Sequence, residues 1–125
     1  LEIHDDKRGM NMLTWEDKHH KRLDEPKKIC PARFDSELER KLRQIAVAAF
    51  KACYCRDYAK IDIRIDSSGK PYLLEINSMP SLGPGASYTY AAKKAGLDMT
   101  SLVSSIVEVA NERYFRPTAS VHKLA

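Results

Sequence analysis

The tightest constraint on this chain is one run, Tyr58 to Pro80, YAKIDIRIDSSGKPYLLEINSMP. Ile61, Ile63 and Ile65 alternate with Lys60, Asp62, Arg64 and Asp66, the period of a strand with one apolar and one polar face. Ser67-Ser68-Gly69-Lys70 supplies turn chemistry, and a second strand follows from about Tyr72 to Asn77. A turn closed symmetrically on Ser68-Gly69 sets the expected register. Asp62 then lies opposite Glu75, and Lys60 opposite Asn77. Ile61, Ile63 and Ile65 face Ile76, Leu74 and Tyr72. The other face carries Lys60, Asp62, Arg64, Glu75 and Asn77, with Leu73 as its one apolar member.

That register creates an electrostatic problem. Directly opposed residues hold their Cβ atoms roughly 4.5–5.5 Å apart, and like charges there destabilise the pair. Two facing carboxylates need a compensating cation or a shared proton. Asp62, Glu75 and the Asn77 carbonyl are hard oxygen donors of the kind that suit Mg²⁺ or Mn²⁺. The plainer alternative is an amphipathic hairpin with a solvated polar face, neutralised by Lys60 and Arg64. Periodicity alone leaves both readings open.

The rest of the chain supplies a frame for this hairpin. At 125 residues it is long enough for one domain with its own core. The net charge of +4 permits an anionic ligand such as a nucleotide without demanding nucleic acid. No apolar run is long enough to cross a membrane, and the charged start, LEIHDDKRGM, is no signal peptide. LEIHD reads as a strand remnant, which leads us to expect a piece of something larger. Cys30, Cys53 and Cys55 are odd in number, and two of them are only two residues apart. A disulfide framework is not expected, so the expected setting is reducing and cytoplasmic. A zinc site lacks a second Cys/His pair at ligand spacing.

Leu13 to Arg22, LTWEDKHHKR, reads as a surface segment, since the adjacent His19 and His20 point to different sides of any regular element. Leu23 to Lys28 reads as loop around Pro26. A helix capped by Asp35 or Ser36 is expected to run to about Cys53, roughly 27 Å at 1.5 Å per residue. Its apolar stripe is Leu38, Leu42, Ile45, Ala46, Ala49, Phe50 and Cys53, well suited to cover the isoleucine face. Burial of each large aliphatic side chain there contributes roughly 1.5–3 kcal/mol. Ser78 to Ser87, SMPSLGPGAS, is a Pro/Gly loop whose backbone N–H groups can meet an anion. A short helix from Tyr88 to Ala95 stops at Gly96. A final helix starts at Asp98 or Thr100 and runs to about Tyr114, with Leu102, Val103, Ile106, Val109 and Ala110 as its stripe. Residues 116–125 read as a flexible tail.

Four pieces, CPA at Cys30, YAKIDIRID, GKPYLLEIN and AAKKAGLDMTSLV, occur in this order between about Trp15 and Tyr114. Together they resemble the C-terminal part of an ATP-grasp ligase, closest to D-alanine–D-alanine ligases and their relatives. The resemblance implies an α+β lobe, mainly antiparallel sheet packed against helices, present here as a fragment. It also implies an enzyme that joins a small-molecule carboxylate to an amine, with ATP as co-substrate and Mg²⁺ or Mn²⁺ as cofactor. In that family an acyl phosphate forms first and the amine then attacks it. Matched residue by residue, Asp62, Glu75 and Asn77 fall on the family's metal ligands, with Glu75 bridging both ions. Lys18, in WEDK, falls on a lysine that contacts ATP phosphates. Lys60 and Ser81 fall at catalytic positions, and Ser87 and Arg64 are placed as substrate contacts. No nucleic-acid or membrane partner is implied, and a homodimer is compatible with the family.

The departures are specific. Lys60 stands where the family has Arg, keeping the charge and losing the bidentate fork. Pro80-Ser81 stands where the D-alanine enzymes have Pro-Gly. Ala86 falls on the loop serine that holds the second substrate's carboxylate, with Ser87 adjacent. The family's N-terminal substrate domain and its small β-rich nucleotide lobe have no counterpart in this sequence. Two readings follow: the metal-bearing part of a carboxylate–amine ligase, inactive by itself, or a non-catalytic nucleotide-binding, metal-binding or interaction module.

Overall fold

A computed structural model describes residues 1–4, 14–19 and 26–115, and the expected tail at 116–125 lies outside them. Two compact units divide the chain, Leu1–Asp35 and Ser36–Ala125.

In the first unit, strand β1 (Glu2–His4) pairs antiparallel with β2 (Lys27–Ile29), placing Glu2 opposite Ile29 and His4 opposite Lys27. The end of the expected loop at Leu23–Lys28 is therefore strand. A lysine-rich stretch carries little β signal, and its pairing partner lies more than twenty residues upstream. The Glu2 carboxylate also accepts a bond from the Arg33 N–H at 3.2 Å. Helix α1 (Trp15–His19) is one short turn. Thr14 and Asp17 cap it reciprocally: Thr14 N–H donates to Asp17 Oδ2 at 2.8 Å, and Asp17 N–H to Thr14 Oγ1 at 3.4 Å. The His19 ring stacks on Trp15 at 4.3 Å and bonds the Trp15 carbonyl through Nδ1 at 2.8 Å. His20 lies outside the described residues.

The second unit is a hairpin with three helices. Helix α2 (Ser36–Ala52) has Glu37 and Glu39 in its first turn and Lys51 in its last, each sign matched to the helix dipole. Leu38, Leu42, Ile45, Ala46, Ala49 and Phe50 are its half-buried residues, the expected stripe apart from exposed Cys53. The helix ends in a Schellman motif. Cys55 N–H reaches the Phe50 carbonyl at 3.0 Å, Tyr54 N–H reaches Lys51 at 3.1 Å, and Tyr54 takes the left-handed position with φ 52°.

Strands β3 (Lys60–Ile65) and β4 (Pro71–Asn77) form an antiparallel hairpin, and α2 packs on β4. The turn differs from the symmetric one expected. Asp66 pairs with Lys70, enclosing Ser67, Ser68 and Gly69, and Gly69 takes φ 81°. Asp66 Oδ1 accepts from Ser68 N–H, Ser68 Oγ and Lys70 N–H, which fixes a three-residue loop. The register consequently starts one residue off, with Ile65 opposite Pro71, Arg64 opposite Tyr72 and Ile63 opposite Leu73. An irregularity between Asp62 and Ile63 absorbs Leu74 as the extra residue and restores the expected pairs: Asp62 with Glu75, Ile61 with Ile76, Lys60 with Asn77. The expected partners Ile63–Leu74 and Ile65–Tyr72 are thus corrected. Leu73 pairs with the isoleucine face, and Tyr72 pairs with Arg64 on the other.

Helix α3 (Ser87–Lys94) and helix α4 (Met99–Phe115) follow and pack on each other. Leu102, 5% exposed, is the buried hydrophobic residue of α4, flanked by half-buried Ile106 and Ala110. Val103 and Val109, expected on that stripe, are exposed, because the covered face runs instead through Ser105 to Arg113. Arg113 makes a two-pronged ion pair with Asp57, its Nη2 2.8 Å from Oδ2 and its Nε 3.1 Å from Oδ1. This bond fixes the α2–β3 connection to the last helix. Asp57 itself sits at φ 65°.

Candidate metal-binding face and its loop

β3 and β4 converge the candidate residues at the open end of the hairpin, beyond the bulge that restores their register. Asp62 and Glu75 are Cα partners, and Lys60 and Asn77, two pairs along, are the next pair on the same face. Paired residues share a sheet face, so two carboxylates, one amide and one ammonium stand together. The Lys60 ammonium lies 2.8 Å from Asp62 Oδ2, with both side chains partly open to solvent. It offsets one of the two negative charges and leaves the exposed Glu75 carboxylate directly opposite. Asn77 Oδ1 accepts the Met79 N–H at 2.9 Å, an Asx turn that bends the chain out of β4. The bond fixes the amide's orientation and leaves its oxygen a second lone pair. Among the described residues, no three His, Cys, Asp or Glu side chains gather at metal-ligand distance. The donor set is therefore two carboxylates and an amide oxygen, all hard ligands suited to Mg²⁺ or Mn²⁺ rather than to a thiophilic metal.

Arg64 is exposed on the same strand, opposite Tyr72 and beyond the bulge. The irregularity separates it from the Asp62–Glu75 pair, where an unbroken ladder would have made it a neighbour on one regular face. In the loop after β4, Pro80 is buried. Ser81 Oγ accepts the Gly83 N–H at 3.2 Å, and a Cβ at Gly83 would meet that oxygen at 3.3 Å. Gly83 O and Ala86 O both accept from Thr89 Oγ1, at 3.1 and 3.0 Å. Thr89 thereby ties the loop to the first turn of α3, where Ser87 is the first helical residue. Ala86 is its N-cap and makes no side-chain cap bond, as its methyl group requires. Lys18 lies in α1, within the other unit, and its side chain is outside the described part.

Two supports behind this site have no local sequence signal. The Asp57–Arg113 pair spans 56 positions and holds the entry to β3. The Tyr58 and Tyr88 rings meet edge-on at 5.6 Å, linking the start of β3 to α3. Burial, and to a lesser degree the neighbouring Tyr58, raise the Tyr88 hydroxyl above its ordinary pKa.

The sequence and fold of this chain match those of known proteins. A family model described as D-ala D-ala ligase C-terminus covers residues 2–108. An uncharacterized protein of Sinorhizobium fredii, y4sG, is 50% identical over 104 residues, spanning 83% of this chain and 31% of that protein. The D-alanine–D-alanine ligase of Dichelobacter nodosus is 39% identical over 79 residues, 63% of this chain and 26% of that enzyme. Among solved structures, the Bacillus anthracis D-alanine–D-alanine ligase complexed with ATP superposes with a TM-score of 0.62 at 26% identity, over 66% of this chain and 28% of that one. The VanG D-Ala:D-Ser ligase of Enterococcus faecalis shares the fold, with a TM-score of 0.63 over 86% of this chain and 34% of that one. This chain thus spans about a third or less of the length of these relatives. The α+β hairpin-and-helix unit, its order of motifs and the family match over residues 2–108 agree: the chain belongs to the D-ala D-ala ligase C-terminus family.

Proposed function

We propose that this chain is the metal-bearing part of an ATP-dependent carboxylate–amine ligase. The observation that carries the reading is the Asp62–Glu75 cross-strand pair with Asn77 two residues further along, on the same face. Like charges so placed oppose hairpin formation unless a cation joins them. Asp62, Glu75 and Asn77 would hold Mg²⁺ or Mn²⁺, which neutralises charge on the phosphates of ATP. In such a ligase the substrate carboxylate takes the γ-phosphoryl group, giving an acyl phosphate and ADP. The amine then displaces phosphate to form the C–N bond. Lys60, beside Asp62, places a positive charge where the transferred phosphoryl group develops negative charge. Arg64 supplies a second cation from the same strand. Ser81, within the loop, and Ser87, where it enters α3, would orient the acyl phosphate and the amine substrate. Lys18, on a separate unit, is the proposed phosphate contact. The full activity belongs to the longer protein that the relatives' lengths imply, and the substrates are small molecules.

A second reading is favoured by one observation. Asp62 is already neutralised by Lys60, and Asn77 is already bonded by Met79. A face satisfied in this way also suits a non-catalytic module that binds nucleotide or a partner. ADP release by the full-length protein separates the two. Under the ligase reading, ADP forms only when carboxylate substrate is present, and Glu75→Gln abolishes it. Unchanged ADP release in that variant contradicts the assignment. Mg·ATP binding with no phosphate release in the wild type establishes the module.

A further inference from the structure

Cys53 and Cys55 flank Tyr54 at the end of α2, and both line a cavity of about 430 Å³. Its other lining residues are Tyr54, Arg56, Ile76 and Ser78, the last two flanking Asn77 on β4. Cys53 is exposed and Cys55 half-buried, and both are free thiols. The proposed ligase chemistry uses neither.

The backbone at Tyr54 turns between them. The distance between Cα atoms two apart is set by the middle residue. Extended backbone separates them by about 6.6 Å, at two residues' rise, near the upper edge of the 4.4–6.8 Å disulfide range. Tyr54 instead adopts φ 52°, held by the Cys55 N–H to Phe50 carbonyl bond. A left-handed turn is the mirror image of a helical one, and helix geometry gives about 5.4 Å between such atoms, the middle of that range.

We infer that Cys53 and Cys55 form a dithiol that closes to an intramolecular disulfide on reaction with a low-molecular-weight disulfide such as oxidised glutathione. One cysteine thiolate attacks the glutathione disulfide, forming a mixed disulfide and releasing one glutathione thiolate. The second cysteine, as thiolate, attacks the protein-bound sulfur and expels the other glutathione. Two protein thiols lose two hydrogens in total, and one oxidised glutathione becomes two reduced ones. Closure takes place against β4 beside Asn77, so the disulfide forms on the back of the strand that carries the metal-ligand face.

The test equilibrates the whole chain with graded ratios of oxidised to reduced glutathione, then traps free thiols by alkylation for peptide mass spectrometry. The expected product is monomeric, lighter by two hydrogens in the peptide containing Cys53 and Cys55, with Cys30 alkylated. Cys53→Ser and Cys55→Ser each stop at a glutathione adduct on the remaining thiol. Tyr54→Gly retains closure. Tyr54→Val, whose β-branch resists positive φ, shifts the balance toward the dithiol by about tenfold. Separate glutathione adducts on both wild-type cysteines, a bond to Cys30 or between chains, or an unmoved balance in Tyr54→Val would each overturn the inference.

Discussion

Two non-glycine residues, Tyr54 and Asp57, hold positive φ within four positions of each other. Left-handed backbone costs a side-chain-bearing residue roughly 1–2 kcal/mol. Tyr54 is 87% exposed, so it recovers little of that through packing. Tyr54→Gly is therefore expected to raise stability by about 1 kcal/mol, read as a higher denaturant midpoint with unchanged slope. Asp57 differs, because its strained backbone presents the carboxylate to Arg113 in two bonds. Asp57→Gly is expected to destabilise in the same assay, since it relieves φ and removes the pair. A third residue effect depends on pH. Bonds from Ser101 and Thr100 at the start of α4 hold Asp98 below its ordinary 3.8. A depressed carboxylate pKa contributes stability above 3.8 that is lost as the pH falls through the lowered value. Asp98→Asn should flatten the acid limb of a stability-against-pH curve below that point and leave neutral pH nearly unchanged.

At the scale of elements, alternation and capping made most of the fold legible. The extents of α2, β3, β4 and α4 differ from expectation by a residue or two, as helix ends and turns usually do. The hairpin register was legible at its open end, where Asp62–Glu75 and Lys60–Asn77 pair as expected. It was misread near the turn. The signal was present: Tyr72-Leu73-Leu74 puts three apolar residues in a row, which breaks period 2 and marks a bulge. Deleting Leu74 should remove the bulge, because Ile63–Leu73 and Asp62–Glu75 then become consecutive pairs. The deletion variant is expected to bind Mn²⁺ within about threefold of the wild type, since its ligand pairs are unchanged. A loss much larger than that would mean that the bulge itself shapes the site. Tertiary pairings such as Asp57–Arg113 and Tyr58–Tyr88 were not legible, because nothing local links positions so far apart. Val103 and Val109 show the same limit: α4 has apolar residues on several sides, and only packing decides which are covered. Leu102→Ala, at the covered position, should cost about 2–5 kcal/mol, whereas Val109→Ala should cost much less.

For the whole molecule, the family match runs over residues 2–108. Apolar side chains stand open on β4, on the loop after it and on α4: Leu74 is 66% exposed, Met79 81% and Val107 60%. The chain also spans about a third or less of its relatives' length. Both facts fit the proposed reading, in which this unit completes its surface and its chemistry within a larger protein. No described helix is long and apolar enough to cross a membrane. The modest positive charge does not by itself point to nucleic acid, and binding through it alone would collapse steeply with added salt.

The central claim is that Asp62, Glu75 and Asn77 act together as hard-ion ligands. Titration of the chain with Mn²⁺ in the presence of ATP, followed by the loss of the free-ion paramagnetic resonance signal, tests it most directly. The account predicts saturable binding that Mg²⁺ displaces, weakened about tenfold or more by Asp62→Asn and by Glu75→Gln. Binding that is the same in the wild type and both variants, beyond what ATP binds by itself, would contradict it.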